Sequence, residues 1–476
     1  MVKLAQIQVD ARSPERLDKV VGPDRAARFA AVAHDTRELL AGRAVINVSS
    51  TARGGGVAEL LQTLLAYARG VGVDTRWFVI EGTPEFFDIT KRIHNNLYGT
   101  GGDGGPLGAA EHRIYDEVLH ANAVELGAFV RPGDVVLLHD PQTAGLVAPA
   151  QQAGGIVVWR CHVGVDTPDD HVRRAWAWLR PYVEAADAFV FSRRAFAPEW
   201  VDGDALSVIA PSIDPFSAKN YDMSPDEALR VLRHVGLLAG ADHPPPAPFV
   251  RRDGSLGRVD RHADILQTGP PPPSDVPLVV QASRWDRLKD MRGVMLGFAE
   301  HVDAGTDAHL VLAGPAVTGV ADDPESGEVL AECALAWRDL PHAQRSRVHL
   351  ACTPMRDPDE AAAIVNALQR HASVVVQKSL AEGFGLTVAE AMWKSRPIVA
   401  SALGGIADQI VDGVHGLLVK DPTDLAAFGE ATCRLLGDAD LAQRLGAQAR
   451  DRAGEEFLPD RHLEQWASLI ARAVTG

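Results

Sequence analysis

Residues 373–392, with the sequence SVVVQKSLAEGFGLTVAEAM, contain the pattern that decides the fold. The stretch begins with a valine-rich run, which is typical of a strand buried on both faces of a parallel sheet. Two glycines, Gly383 and Gly385, follow, and a helical pattern begins directly after them. Because glycine lacks Cβ, its backbone can approach a ligand closely, and the N–H groups of the following helix favour an anion such as a diphosphate. Alternatively, the glycines only make a tight turn, and Glu382 and Glu390 are solvated.

Short apolar runs rich in Val and Ile recur along the chain, and they form two sets. The first set of predicted strands covers residues 44–48, 75–80, 135–138, 156–159, 188–191 and 206–209. The second set covers residues 278–282, 309–313, 348–351, 373–376, 397–400 and 416–419. Helical patterns separate the runs, so each set indicates repeated βαβ units. Because such crossovers are right-handed, the sequence predicts an α/β protein with two doubly wound domains.

A proline-rich segment, residues 243–277, separates the two sets of predicted strands. Proline lacks a backbone donor and fixes φ, so we interpret this segment as a linker or surface insert rather than a helix or central strand. We therefore predict an N-terminal domain over residues 1–270 and a C-terminal domain over residues 271–476. The last helical pattern, which carries Leu463, Trp466, Leu469 and Ile470, could pack on either domain.

The charge balance excludes several classes of function. The 476 residues include 47 Lys and Arg against 63 Asp and Glu, which gives a net charge of −16. A balance this acidic argues against a generic binder of nucleic acids or anionic membranes, which needs a basic surface, although a local basic site can still lie within an acidic surface. The sequence has four scattered cysteines, no signal-peptide pattern and no run of about 20 apolar residues. These features predict a reduced, cytoplasmic protein that does not span a membrane.

Two cations follow the strand predicted over residues 278–282, in the sequence SRWDRLKD at residues 283–290. Ligands bind at the carboxyl ends of parallel strands in open α/β sheets, so Arg284 and Lys289 could hold the oxygens of a phosphate group. The alternative is an exposed charged turn in which Asp286 and Asp290 neutralise the two cations.

Polar or glycine-rich segments also follow three predicted strands of the first domain. The sequence SSTARGGGVAE, residues 49–59, contains Gly55 and Gly56. Asp140 and Gln142 follow the strand over residues 135–138, and His162 follows the strand over residues 156–159. A lone histidine is more often structural than catalytic, but three such segments at one sheet edge indicate a shared cleft.

These motifs resemble those of a known family. The C-terminal half resembles the E-x7-E glycosyltransferases of family 4, through residues 382–390, the Arg284 and Lys289 clamp, ALGG at 402–405 and DGVHGLL at 412–418. The N-terminal half is similar to the trehalose glycosyltransferring synthases, a narrower family. That similarity rests on VSST at 48–51, GGGVAE at 54–59, LHDPQ at 138–142, WRCH at 159–162, PSIDP at 211–215, Lys219 and Asn220. The run HVGVD at 162–166 departs from the His-Ile-Asp run of that family.

The resemblance implies the GT-B fold, in which two Rossmann-like domains face a central cleft. It implies transfer of glucose from ADP-, UDP- or GDP-glucose to glucose, which forms α,α-1,1-linked trehalose with retained anomeric configuration. No cofactor is implied, and no metal is expected, because no Asp-x-Asp motif is placed for a diphosphate-bound ion. The expected partners are sugars and nucleotide sugars, and a homodimer is compatible with the sequence.

The same resemblance implies roles for individual residues. Arg284 and Lys289 would hold the donor diphosphate, and Glu390 would bind the ribose. The full set of implied catalytic residues is Arg284, Lys289, Glu382 and His162. Donor binding is implied for Gly55, Gly56, Gly383, Phe384, Gly385, Leu386 and Glu390. Acceptor binding is implied for Asp140, Gln142 and Gly405.

Three other functions are compatible with these motifs. A retaining trehalose phosphorylase would use inorganic phosphate instead of a nucleotide. A sugar-nucleotide epimerase on the same fold would convert the donor without an acceptor. A binding protein without catalytic activity would take up the donor and form no product.

Overall fold

The structure is a computed structural model that describes residues 4–52, 55–201, 203–240, 246–317 and 324–475. The chain forms two compact units, of which the first contains Met1–Ser212 and Phe457–Gly476 and the second contains Ile213–Glu456. The division thus falls after Ser212 rather than at the predicted residue 270, and the last helix belongs to the first unit. The reason is that the hairpin at residues 247–259 and the strand at residues 264–266 pack on elements of the second unit.

A seven-stranded sheet forms the centre of the first unit, with the order β1-β3-β2-β4-β5-β6-β7. Strands β2 to β7 are parallel and lie within two residues of the predicted strands, while β1 is an antiparallel edge strand that the sequence analysis missed. The chain leaves β2 toward β3 on one side and returns to β4 on the other, so the strand order reverses between β2 and β4. The strands are β1 Ala5–Ile7, β2 Val45–Ser49, β3 Thr75–Val79, β4 Val135–His139, β5 Ile156–Cys161, β6 Ala188–Phe191 and β7 Leu206–Val208.

The second unit contains a two-stranded hairpin and a second seven-stranded sheet, whose order is β10-β13-β12-β11-β14-β15-β16. Strands β11 to β16 are parallel, and β10 is an antiparallel edge strand. Here the strand order reverses between β11 and β14. The hairpin strands are β8 Ala247–Val250 and β9 Leu256–Val259. The sheet strands are β10 Asp264–Leu266, β11 Leu278–Ala282, β12 His309–Pro315, β13 Val348–Thr353, β14 Val374–Gln377, β15 Ile398–Ser401 and β16 Leu417–Val419.

Helices connect the parallel strands, as a doubly wound topology requires. Those of the first unit are α1 Asp18–Val21, α2 Pro23–Leu39, α3 Gly56–Gly70, α4 Pro84–Leu97, α5 Ala109–Gly127, α6 Val147–Gln152 and α7 Asp170–Val183. Those of the second are α8 Pro225–His234, α9 Met291–His301, α10 Pro324–Asp339, α11 His342–Arg345, α12 Pro358–His371, α13 Leu386–Trp393, α14 Gly404–Gln409, α15 Leu425–Gly437 and α16 Ala439–Glu456. The last helix, α17 Pro459–Thr475, returns to the first unit. Its Trp466, Leu469 and Ile470 join a buried cluster with Leu60 and Leu64 of α3.

The proline-rich segment is not the linker that its composition suggests. Its hairpin, β8 and β9, buries Phe249 and is held to α12 by ion pairs, including Arg251 to Asp357 at 2.7 Å and Arg261 to Glu360. Its third strand, β10, extends the second sheet. Pro248 lies in β8, a strand of the two-stranded hairpin, where a missing donor is tolerated. His243, Pro244 and Pro245 lie outside the described residues.

The helices and the cysteines bear on the expectations that the chain does not span a membrane and that its thiols are reduced. Within the described ranges, no helix combines the length and apolar content needed to cross a bilayer. The four cysteines are free thiols, of which Cys161 and Cys333 are buried.

Candidate functional site

In the second unit, the loops after β11 and β14 lie on either side of the point where the strand order reverses. In open α/β sheets this is the position at which ligands bind. The loops are tied together by a backbone bond from Leu380 N–H to Leu288 O at 2.8 Å. The Gln281 side chain at the end of β11 contacts both loops, because its Nε2 donates to Lys289 O at 2.7 Å and its Oε1 accepts from Lys378 N–H at 3.5 Å. The topology therefore brings together two motifs that are almost a hundred residues apart in sequence.

Lys289 and Glu382, one from each loop, form an ion pair. Lys289 Nζ lies 2.5 Å from Glu382 Oε2, and the Ser379 hydroxyl donates to the same oxygen at 3.2 Å. The Lys289 side chain is 19% exposed and that of Glu382 is 9% exposed, so the pair is largely shielded from water. Sequence analysis singled out both residues but offered Asp290 as the partner of Lys289.

Neither Arg284 nor Asp290 takes part in the Lys289–Glu382 pair, and each forms an ion pair of its own. Arg284 Nη2 lies 3.0 Å from Asp286 Oδ2, as the charged-turn alternative expected, and 44% of the arginine side chain remains exposed. Asp290 instead accepts from Lys378 Nζ, a residue that the sequence analysis did not single out. The feature that could have revealed Lys378 is that the chain has only eight lysines. Four of them contact the loops after β11 and β14 or helix α13, namely Lys219, Lys289, Lys378 and Lys394.

The glycine turn before α13 has conformational and packing reasons for its sequence. Gly385 precedes the helix with a φ of 89°, a left-handed conformation that favours glycine. Gly405 lies against the turn so closely that a Cβ atom there would be 2.4 Å from Phe384 Cα. Packing therefore accounts for the glycine at position 405, and its acceptor-binding role stays a prediction. Gly383, Phe384 and Gly385 are buried, and Leu386 begins the helix.

Glu390 lies on α13 and is only 4% exposed. Lys219 Nζ is 3.5 Å from Glu390 Oε1. One turn further along, the buried Lys394 donates to Asn220 Oδ1 at 2.9 Å, to Gln369 Oε1 at 2.8 Å and to Glu390 O at 3.2 Å. Burial lowers the pKa of Lys394 well below its usual value. Lys219 therefore lies beside the Glu390 carboxylate, and the hydrogen bonds of Lys394 fix the C-terminal end of α13.

In the first unit, side chains near the carboxyl ends of β2, β4 and β5 form a chain of hydrogen bonds. Arg160 Nε donates to His162 Nδ1 at 3.4 Å, and His162 Nε2 lies 3.2 Å from His139 Nδ1. His139 Nε2 lies 3.1 Å from Asn47 Oδ1. Because arginine only donates and the amide oxygen only accepts, this order assigns one proton to the Nε2 atom of each histidine. Both rings are therefore neutral, and both nitrogens of His162 are engaged.

Asp140 is held at the end of β4 in an unusual conformation. Its φ of 65° lies in a region that residues other than glycine rarely adopt, which is typical of functional sites. Its Oδ1 accepts from the backbone N–H of His162 at 2.7 Å. The nearby Gln142 has a buried Oε1 for which the described residues supply no hydrogen-bond donor. Both side chains therefore offer acceptor oxygens at this edge.

Burial shifts the protonation of this cluster toward neutral forms. It lowers the pKa of His139 to about 3, and Arg160 adds to this effect. It also lowers the pKa of His162 well below its usual value. Burial raises the pKa of Asp140 to about 7, against the bond from His162 N–H and the charge of Arg160. The pKa of Arg160 falls to about 9 for the same reason, although Asp140 opposes the shift.

The glycine-rich loop after β2 leads into α3. Gly55 has a φ of 122° and precedes the helix, and Gly56 is the first helical residue. The loop is braced by Ser49, whose hydroxyl accepts from Trp77 Nε1 at 2.9 Å and donates to Thr51 O at 3.1 Å. Arg53 and Gly54 of this motif lie outside the described residues. Among the residues that are described, no three His, Cys, Asp or Glu side chains come together as a metal site would require.

Two doubly wound sheets are the architecture of the GT-B fold, and solved structures agree. The trehalose-6-phosphate synthase structure superposes with a TM-score of 0.64 at 13% identity, covering 91% of this chain and 99% of that one. A UDP-forming α,α-trehalose-phosphate synthase from Burkholderia xenovorans gives a TM-score of 0.65 at 16% identity, covering 91% and 100%. At these identities the likeness concerns the fold.

Sequence comparison defines the family. The model for the N-terminal domain of trehalose synthase matches residues 47–198, and the model for group 1 glycosyl transferases matches residues 269–452. The chain is 32% identical to the trehalose synthase of Thermococcus litoralis over 99% of both proteins, and 32% identical to that of Rubrobacter xylanophilus over 91% and 92%. A trehalose phosphorylase of Pleurotus pulmonarius is 24% identical over 90% of this chain and 57% of its own length. The chain belongs to the trehalose synthase family of glycosyltransferases.

Proposed function

We propose that this protein is a retaining hexosyltransferase that moves glucose from a nucleoside-diphosphate glucose to glucose and forms α,α-trehalose. Family membership supports the product, and the second unit supports the donor. The observation that carries most weight is the Lys289–Glu382 pair, which lies beside the glycine turn and the start of α13. A cation, backbone N–H groups and a helix N-terminus together favour a diphosphate, and the carboxylate favours sugar hydroxyls.

The leaving group would be stabilised by the second unit. As the sugar–phosphate bond breaks, positive charge develops on the sugar ring and negative charge on the diphosphate. Lys289 and Arg284 would stabilise that negative charge, and the start of α13 would add its dipole. No covalent nucleophile is then needed, because the departing phosphate can accept the proton of the acceptor hydroxyl on the same face of the sugar. This front-face route retains the anomeric configuration.

For the remaining donor contacts we propose the roles that the family resemblance implies. Glu390, with Lys219 beside it, would bind the ribose hydroxyls, and Glu382 with the backbone at Gly383, Phe384, Gly385 and Leu386 would bind the donor glucose. For Gly55, which precedes α3, and Gly56, which begins it, we propose that the glycine backbone lets a ligand come close to this loop.

The first unit would recognise uncharged sugar. Asp140 and Gln142 would accept hydrogen bonds from glucose hydroxyls. Gly405 stays a predicted acceptor-binding residue. Because both nitrogens of His162 are engaged, we propose that its ring shapes the sugar pocket and does not exchange a proton. No metal is required in this scheme, so a chelator is expected to leave the rate unchanged.

Product analysis tests this function. The protein would be incubated with glucose and ADP-, UDP- or GDP-glucose, and the disaccharide analysed by NMR. We expect trehalose with both anomeric centres in the α configuration from at least one donor. A β-linked product would exclude the retaining mechanism, and donor conversion without glucose would indicate an epimerase.

The second candidate is a retaining trehalose phosphorylase, which the relative from Pleurotus pulmonarius favours. The two activities differ in the group that attacks trehalose in the reverse direction. Glucose release from trehalose with nucleoside diphosphate, and none with inorganic phosphate, is expected for the synthase. The opposite pattern would establish the phosphorylase.

A further inference from the structure

Lys378 is a fully buried lysine that the proposed chemistry does not use. It lies between β14 and the glycine turn, and its side chain has no solvent exposure. Lysine is almost never fully buried unless its charge is paired. Here Nζ donates to Asp290 Oδ2 and to Pro422 O, the second at 2.6 Å. The cost of burying this cation is therefore offset by contacts in the loop that follows β11 and the loop that follows β16.

Asp290, the partner of Lys378, directly follows Lys289 and has a strained backbone. Its φ of 48° is left-handed, and it ends the short turn Arg287–Lys289 and begins α9. One carboxylate oxygen accepts from Gly293 N–H at 3.0 Å, and the other accepts from Lys378. Because both oxygens are engaged, the carboxylate fixes the backbone at the residue after Lys289.

The loop after β11 and the loop after β14 are thus joined by two ion pairs, and each loop supplies the cation of one pair and the anion of the other. One loop supplies the cation Lys289 and the anion Asp290, and the other supplies the cation Lys378 and the anion Glu382. The Lys289–Glu382 pair retains some exposure, whereas Lys378 has none. Asp290 is 20% exposed, so within this second pair only the Lys378 ammonium is fully shielded. A ligand can therefore reach Lys289 but not Lys378.

We propose that Lys378 is a positioning residue that aligns Lys289 with the donor phosphate through Asp290. This inference rests on the proposed function of Lys289. Lys378 does not touch the substrate in this scheme. It holds the carboxylate that fixes the backbone of its neighbour, and loss of that anchor displaces the Lys289 ammonium from the phosphate.

A double-mutant cycle separates this role from a general structural one. Lys378→Met would be made in the wild-type protein and in Lys289→Ala, and kcat measured in each. A misplaced catalytic group costs roughly ten- to a hundredfold in rate, so we expect a loss of that size in the wild-type background. In Lys289→Ala we expect less than threefold, because no ammonium remains to be aligned. Equal losses in both backgrounds would overturn the proposal.

Two further variants keep the test decisive. Asp290→Asn removes the same ion pair from the other loop, so it replaces Lys378→Met in the cycle if the buried substitution prevents folding, as judged by calorimetry. Lys420→Met removes an exposed lysine of the same unit and is expected to leave kcat within twofold.

A binding assay distinguishes failure of this inference from failure of the proposed function. Nucleoside diphosphate and inorganic phosphate would each be titrated into the same variants. If wild-type protein forms no trehalose but binds either ligand, the proposed function fails and the cycle is evaluated on affinity. If Lys378→Met weakens binding equally with and without Lys289, the positioning role is contradicted whatever the reaction.

Discussion

The two units share a doubly wound topology, yet the chemistry at their reversal points differs. In the second unit, formal charges face each other in pairs, as in Lys289 with Glu382 and Lys378 with Asp290. In the first unit, burial favours neutral forms, and His139 and His162 form a directional chain of hydrogen bonds. Ammonium groups suit a diphosphate, whereas neutral imidazoles beside the acceptor oxygens of Asp140 and Gln142 suit sugar hydroxyls. The comparison suggests that one topology serves two kinds of recognition.

The largest effect is expected at Lys289, in the charged site of the second unit. Lys289→Ala should lower kcat by about a hundredfold or more, the scale of losing one electrostatic donor in a transition state. Steady-state rates with saturating donor and glucose would measure it. Lys420→Ala, an exposed lysine of the same unit, is the matched control. Normal turnover in folded Lys289→Ala would contradict the assignment.

The first unit predicts a pH effect. With a pKa of about 7, Asp140 gains a proton below that pH and loses the charge with which, as we propose, it accepts hydrogen bonds from glucose. The kcat/KM for glucose should therefore fall about tenfold per pH unit below 7 and stay level above it. Asp140→Asn cannot titrate, so its profile should lack this inflection. A variant that kept the inflection would assign it to another group.

A smaller effect is expected at Glu390, for which we propose a contact with the donor ribose, far from the breaking bond. Glu390→Ala should raise the donor KM by about tenfold, the scale of one or two lost hydrogen bonds to a charged group. Full donor titrations would separate KM from kcat. Glu430→Ala, an exposed glutamate on α15, is the control. A change in kcat alone would refute the ribose assignment.

The smallest effect is expected in the hairpin that the proline-rich segment forms. Arg251→Ala removes a partly exposed ion pair with Asp357, and such pairs contribute about 0–1 kcal/mol. We expect a melting temperature lower by a few degrees at most and a kcat within twofold of wild type. A large loss of kcat would mean that the hairpin takes part in the chemistry.

The sequence predicted the parallel strands well because strands buried on both faces must be apolar throughout. The short edge strands β1 and β10 were missed, since three residues such as AQI or DIL carry too little pattern. The proline-rich segment was misread because composition does not reveal that Phe249 is buried or that Arg251 pairs with Asp357.

The candidate site was predictable only in part. Its residue types stand at strand ends and could be located from the sequence, as Lys289 and Asp140 were. Their partners could not be predicted, because Lys289 and Glu382 are far apart in sequence and only the sheet topology brings them together. The neutral state of His139 depends on burial and on the charge of Arg160, which a linear sequence does not display.

Calorimetric titration of nucleoside diphosphate into wild type, Lys289→Ala and Asp140→Asn tests the central claim most directly. If charge recognition belongs to the second unit, Lys289→Ala should bind about tenfold more weakly, the scale of one lost charge-assisted hydrogen bond. Asp140→Asn should bind within twofold of wild type. Equal weakening in both variants, or a loss confined to Asp140→Asn, would contradict the division of roles between the two units.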